Sequence, residues 1–202
     1  MFTKKQLAIQ LSKLKRFENP KIQLEQYTTD SEIAGTVLWD AMMKGDIADK
    51  TIADLGAGTG ILGIGALLIG AKHVYFVEKD NDAIKILKEN LALIEDTRTY
   101  TIIHKEINEF DTQVDTVLQN PPFGTQQVHA DKPFLEKAFS IAKAVYSFHK
   151  TTTDSFVRAI ASDFKFKIAE TYAFLFPLRN TYSHHTKKVE KIEVVCYKLV
   201  KG

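Results

Sequence analysis

The stretch TIADLGAGTGILGIGALLIG, residues 51–70, decides the fold. Its first five residues read as a short buried strand, the next five as a glycine-rich turn, and the remainder as an apolar helix. A strand that feeds a helix through such a turn opens a βαβ unit. It also brings backbone N–H groups and a helix N-terminus to one point, where a ligand can be held. The spacing limits which ligand. A dinucleotide fingerprint needs G-x-G-x-x-G/A, yet Ile61 stands three residues after Gly58, and the third glycine is Gly60. The sequence contains no G-x-x-x-x-G-K-[ST], which removes a Walker-type phosphate loop.

Outward from this stretch the alternation continues through HVYFVE (73–78), the helical pattern DAIKILKENLALI (82–94), TYTIIHKEI (99–107) and VDTVLQ (114–119). Then come a helix near 133–143, a strand AVYSFH (144–149), a helix over about 153–163, and the strands KFKIAETYAFLF (165–176) and KIEVVCYKLV (191–200). The expectation is an α/β fold: a seven-stranded, mostly parallel sheet with helices on both faces. Residues 177–190 are too few for a crossover helix of about a dozen residues plus turns, so the last two strands should pair antiparallel. Upstream, Leu7, Leu11 and Leu14 share one face of a lysine-rich helix, and a second helix should start at Asp30/Ser31 and run to about Met43. Neither a repeat nor a linker divides the chain. A single domain over 1–202 is expected, with 1–45 as a helical extension and lid and 50–202 as the core.

Hydrophobic content of 45% and charged content of 26% exclude a disordered or fibrous chain. The single cysteine, Cys196, excludes an internal disulfide and a cysteine zinc cage, suits a reducing cytosol, and reads as a small core residue. Residues 55–71, the longest uncharged run, number 17 and include six glycines, short of the roughly 20 apolar residues a spanning helix needs. No membrane span is expected. Lysines inside MFTKKQLAIQLSKLKRF argue against a secretory signal, so a cytoplasmic location is expected. The net charge of +2 conceals a blockwise distribution: +4 over residues 1–27, −9 over 28–131 and +7 over 132–202. Such asymmetry points to a basic face built from both ends of the chain around an acidic middle.

The fourth strand runs straight into Asn120-Pro121-Pro122-Phe123. Two prolines fix two φ angles and remove two donors, leaving carbonyl oxygens aimed in set directions. In a doubly wound sheet strand four lies beside strand one across the topological switch point, so this loop and the glycine loop share one crevice.

The motif Asp54-Leu-Gly-Ala-Gly-Thr-Gly60 after strand one resembles that of class I S-adenosylmethionine-dependent methyltransferases, which have a Rossmann-like sheet. The resemblance implies S-adenosyl-L-methionine as cofactor, with Asp54, Gly56, Gly58, Thr59, Gly60 and Ile61 around its methionine part. It places Glu78 on the ribose hydroxyls, and Glu106 and Ile107 near the adenine. A carboxylate suits a vicinal diol because it accepts two hydrogen bonds at once. The tetrapeptide at 120–123 resembles the [DNS]-P-P-[YFW] loop of methyltransferases that act on exocyclic or amide nitrogen. Asn120, Pro121, Pro122 and Phe123 are then the catalytic loop, with Asn120 also at the cofactor. The lone pair of an aromatic amine is delocalised into its ring, and acceptors around the N–H groups draw it out. The side-chain oxygen of Asn120 and the carbonyl of Pro121 would accept the two amine hydrogens, and Phe123 would stack on the base. Transfer is then an in-line displacement helped by proximity and orientation. The base must be flipped out or lie in a single-stranded loop.

Leu24-Glu25-Gln26-Tyr27-Thr28-Thr29, DLGAGTG, NPPFGT and Phe148-His149-Lys150 together are similar to the archaeal and eukaryotic methyltransferase-like protein five family, over about residues 5–200. The resemblance implies N6-methylation of an adenosine in small-subunit ribosomal RNA and a small zinc-binding activator protein as partner. It also implies a lid of Gln26, Tyr27 and Thr29 over the cofactor. Thr28 stands where the lid usually has proline, and Glu78 and Glu106 stand where aspartate is common. The loop after strand six, with Arg179, His184, His185, Lys187 and Lys188, should emerge at the carboxyl edge of the sheet beside Lys150 and contact RNA. Adjacent histidines without a third ligand do not make a metal site. Two other readings stay open. Glutamine-N5 methylation of a protein uses a similar loop, though those enzymes usually carry tyrosine at the position of Phe123 and a larger N-terminal domain. A non-catalytic RNA-binding or assembly factor could keep the fold, but has no need of Asp54, Glu78, Asn120 and Phe123 together.

Overall fold

The computed structural model describes residues 2–94, 99–124, 130–178 and 190–202, with side chains described outside 177, 178 and 190. Helix α1 (Lys4–Ser12) starts at a reciprocal cap, in which Thr3 Oγ1 accepts from the Gln6 N–H and Gln6 Oε1 accepts from the Thr3 N–H. Helix α2 (Ser31–Met43) begins where expected, at Asp30, whose carboxylate accepts from the Glu32 and Ile33 amides. The alternating segment then gives β1 (Thr51–Leu55), α3 (Ile61–Leu68), β2 (His73–Glu78), α4 (Asn81–Ala92), β3 (Thr99–His104) and β4 (Thr116–Gln119). It is followed by α5 (Lys132–Ile141), β5 (Ala144–Lys150), α6 (Asp154–Asp163), β6 (Phe166–Leu178) and β7 (Glu190–Lys201). The third strand stops at His104 and does not run on to Ile107. Glu106 and Glu109 cap one another across a short turn there and take the backbone out of the sheet.

The seven strands form one sheet in the order β3-β2-β1-β4-β5-β7-β6. The first five are parallel, and β7 runs antiparallel between β5 and β6. Strand β1 has β2 on one side and β4 on the other, with Leu55 opposite both Val77 and Gln119. The strand order therefore reverses at the carboxyl ends of β1 and β4, where the two expected loops begin.

Strand alternation splits the interior into two layers. Ile52, Phe76, Leu118, Phe148 and Cys196 face α1 to α4, whereas Leu55, Val77, Val117, Val145 and Tyr197 face α5 and α6. Leu7, Leu11 and Leu14 are buried in the first layer, as their spacing predicts, although Leu14 lies just past the end of α1. Helix α3 is packed closely on both sides: a Cβ at Gly63 would stand 2.3 Å from Phe76 of the sheet, and one at Gly65 would stand 2.3 Å from Leu38 of α2. One irregularity matters for the site. The β6/β7 register shifts between Ile168 and Glu170, leaving Ala169 as an extra residue in β6. Before this bulge Phe166 and Ile168 face the α5/α6 layer; after it Tyr172, Phe174 and Phe176 face the other. Among the described residues no helix is long and apolar enough to cross a membrane.

Candidate active site

At the carboxyl end of β1 the chain turns through Gly56 (φ 66°), Gly58 (φ 55°) and Gly60 (φ 92°) before entering α3. Only glycine adopts that left-handed backbone repeatedly without steric cost. Two carboxylates pin the turn. Asp54, 1% exposed, accepts from the Gly63 N–H at 2.8 Å, tying the strand end to the first turn of the helix. Glu78 accepts from Gly58, at 2.8 Å, and from the Lys79 and Asp80 amides. Both lone pairs of Oε1 are used by Lys79 and Asp80, and Oε2, with the single bond from Gly58, keeps acceptor capacity. Burial raises the Asp54 carboxyl to about 8, against the lowering effect of the Gly63 amide, and the negative charge of Glu78 adds to the rise.

The lid segment is held over this turn from both sides of Tyr27. The Gln26 side-chain amide donates to Asp80, which also receives the Lys21 ammonium at 2.5 Å. Thr29, 3% exposed, accepts from the side-chain amide of Asn120 at 2.9 Å. One hydrogen of the Asn120 Nδ2 is thereby used, and its Oδ1 is buried with no hydrogen-bond partner. Beneath this point is a cavity of about 360 Å3. Of the expected cofactor residues it is lined by Gln26, Tyr27 and Thr29 from the lid, and by Asp54, Gly56, Gly58, Thr59 and Ile61 from the first strand–turn–helix. Glu78, Glu106, Ile107 and Asn120 complete that set, with Pro122 beside them.

Three expected site residues stand apart from the cavity wall. Gly60 serves as the N-cap of α3. The carbonyl of Pro121 accepts from the Tyr27 hydroxyl at 3.1 Å. Phe123 is 6% exposed, with its ring against Tyr27 and edge-on to Phe176. Lys150 closes β5 half-buried, its main chain paired with Val194. Arg179, His184, His185, Lys187 and Lys188 lie outside the described residues. Among the described residues no cluster of histidine, cysteine and acidic side chains is suited to a metal. Cys196 is buried in the core, its thiol pushed up by desolvation.

The sequence reading missed several participants. Phe17 and Phe134 line the cavity, packed so close to Gly58 and Gly56 that a Cβ there would stand 3.1 and 2.9 Å from their rings. No periodicity marks either residue. Asp80, the lid anchor, could have been found, since it precedes a helical pattern as an N-cap does. Also missed was a buried polar chain. Asp131 Oδ2 meets His149 Nδ1 at 2.8 Å, His149 Nε2 meets Ser147 Oγ at 2.6 Å, and the Gln119 amide donates to the same hydroxyl at 2.9 Å. The distances are those of a Ser-His-Asp triad, but Ser147 is fully buried and unreachable by a substrate. The signal was a polar residue at alternate positions of otherwise apolar strands.

The cavity fits S-adenosylmethionine. Its acidic lining suits a cation with sulfonium and ammonium charges, and the buried orphan oxygen of Asn120 awaits a donor. Comparison with known proteins agrees. Residues 32–165 match the family model described as conserved hypothetical protein 95. The chain is 37% identical to protein MJ0284 of Methanocaldococcus jannaschii, across 100% of this chain and 95% of that one. It is 36% identical to the rRNA N(6)-adenosine-methyltransferase METTL5 of Danio rerio, across 94% and 95% respectively. The solved structure of PH1948 from Pyrococcus horikoshii, provisionally assigned as an RNA methyltransferase, is 43% identical and superposes with a TM-score of 0.91 over 100% of this chain and 98% of that one. The carboxylate-pinned glycine turn and this identity over nearly the whole length place the chain in the METTL5 family of S-adenosylmethionine-dependent methyltransferases.

Proposed function

We propose that this protein methylates N6 of an adenosine in RNA, with small-subunit ribosomal RNA as the substrate. The observation that carries the reading is the side-chain oxygen of Asn120, buried at the cavity and without a partner. When bound, S-adenosylmethionine supplies an electrophilic methyl group on sulfur. The chain's own residues bind and orient. Asp54 and Glu78 hold the glycine turn; Glu78 presents negative charge to a cationic cofactor, and Asp54 adds its own on giving up its proton. Thr29 fixes the Asn120 amide so that its oxygen, and not its NH2, is left to accept an amine hydrogen. That bond raises electron density on the amine nitrogen, and the rigid proline pair keeps the acceptor in place.

The decisive experiment incubates the protein and Asn120→Ala with labelled cofactor and total RNA, followed by mass spectrometry of the nucleosides. N6-methyladenosine formed by the first and not the second is expected. Equal incorporation by both sinks the role of Asn120, and label in protein as N5-methylglutamine favours the other substrate class. No cofactor binding by calorimetry would favour a non-catalytic factor.

Two further features support partners on this reading. Phe176, which touches Phe123, lies on β6 just before the segment 179–189 that carries Arg179, His184, His185, Lys187 and Lys188, a set suited to phosphate. Strand β3 is an edge of the sheet, with Tyr100 45% and the nearby Leu93 56% exposed. An unpaired apolar edge suits the small zinc-binding activator expected from the resemblance. Co-purification followed by zinc analysis tests it.

A further inference from the structure

Tyr27 sits where the sequence reading puts the target base. Its ring lies against Phe123, centroids 4.7 Å apart and planes 30° apart. Phe176 meets both rings edge-on, at 5.9 Å from Tyr27 and 6.1 Å from Phe123. The Tyr27 hydroxyl donates to the Pro121 carbonyl at 3.1 Å, one of the two acceptors an exocyclic amine would use. The ring separation leaves no gap for a base between Tyr27 and Phe123, because a sandwiched ring needs roughly twice the usual stacking distance.

We propose that Tyr27 is a place-holder for the target base and the residue that sets its selection. This rests on the adenosine reading above. A phenol has one hydrogen to give, and Tyr27 gives it to Pro121; the Asn120 Oδ1 stays unsatisfied. An amino-bearing ring has two. It can replace the stack on Phe123, replace the bond to Pro121 and also satisfy Asn120, which Tyr27 cannot do. A uracil would bring a carbonyl oxygen against two acceptors and has no means of displacing the tyrosine at that point. Phe123 is therefore sealed from water until an amine-bearing base enters, and the exchange favours such a base by one hydrogen bond. The lid anchors on either side of Tyr27, Gln26 with Asp80 and Thr29 with Asn120, let the ring swing while the segment stays over the cofactor.

Two measurements test this in the full chain. With 3-fluorotyrosine placed at position 27 alone, the fluorine resonance should move when oligo(A) is added to protein holding S-adenosylhomocysteine. It should stay in place with S-adenosylhomocysteine alone or with oligo(U). Tyr27→Phe keeps the ring but drops the bond to Pro121, so KM for RNA should fall about fivefold, the factor carried by one ordinary hydrogen bond. A resonance that stays fixed while RNA is being methylated overturns the place-holder and leaves the RNA reading intact. So does a KM unchanged by Tyr27→Phe. If a glutamine-bearing peptide moves the resonance, and no RNA is bound or methylated, the adenosine reading itself has failed and this inference with it.

Discussion

Thr29 takes an amide hydrogen of Asn120 at 2.9 Å and so decides which end of that amide faces the cavity. Removing the acceptor with Thr29→Val should leave the amide free to turn, and kcat should drop by about tenfold with little change in cofactor affinity. Asn120→Ala removes the acceptor itself and should cost about 100-fold or more. Single-turnover methylation alongside calorimetric cofactor titration separates the two effects. A Thr29→Val enzyme that loses cofactor binding and keeps its chemical rate would contradict this orientation role.

Asp54 should make the cofactor-free protein less stable as pH rises. Its carboxyl holds a proton more tightly folded than unfolded, about 8 against 3.8, so stability from this group is full below the unfolded value and is lost as pH climbs through about 8. Melting temperatures between pH 5 and 9 should fall more steeply for the wild type than for Asp54→Asn. Binding a cationic ligand should release a proton over the same range, which titration in buffers of different ionisation enthalpy detects.

At the foot of α2 the opposite sign is expected. The Tyr172 hydroxyl lies within hydrogen-bond reach of both Asp40 and Glu170 and can give its one hydrogen to either, and Lys44 bridges the same two carboxylates at 2.5 and 2.9 Å. Burial acts to raise the Asp40 carboxyl, but the bonds from Lys44 and Tyr172 outweigh it and leave it low. The bond from Lys44, then that from Tyr172, holds Glu170 low as well. Depressed carboxyls give stability that is present above their unfolded range and lost as pH falls through the folded values. Tyr172→Phe should cost about 1 kcal/mol near neutrality in denaturant unfolding, and the difference should close in acid.

Breaking the Asp131–His149–Ser147–Gln119 chain should loosen the loop that starts at Asn120 at both ends. Gln119 precedes Asn120, and Asp131 opens the helix after the loop. His149→Ala leaves the Asp131 carboxylate, 4% exposed, without this partner and should cost about 3 kcal/mol. Adding Asp131→Ala should cost less than the sum of the single changes, because both act on one pair. Denaturant titration of the three variants is the check.

If Arg179, Lys187 and Lys188 contact RNA phosphates, changing all three to alanine should lower the slope of log affinity against log salt by about 2 for a single-stranded site. Filter binding at several salt concentrations reads this directly. An unchanged slope would place the phosphate contacts elsewhere.

Much of the molecule was legible in the sequence because period and punctuation carry it. Strand β1 matches its expected bounds, the α2 cap is at Asp30, and the reversal of strand order follows from a parallel sheet whose fourth strand must find a free edge of the first. The glycine turn and Asn120 were legible because their chemistry is local. The aromatic packing of Tyr27, Phe123 and Phe176 was not, since those residues are far apart in the chain and meet only through the sheet. Nor was the polar chain beneath the loop, whose members look like isolated exceptions until β4 and β5 pair in register.

Ala169 shows that chain length, as much as side-chain chemistry, builds the acceptor pocket. One residue counted twice against β7 rephases every side chain that follows, and Phe176, seven positions on, owes its inward face to that count. Were Ala169 drawn into regular pairing with β7, every aromatic residue would stay in the sequence and yet Phe176 would turn toward the opposite layer. The pocket wall would then fall to a neighbour such as Leu175, which now faces solvent.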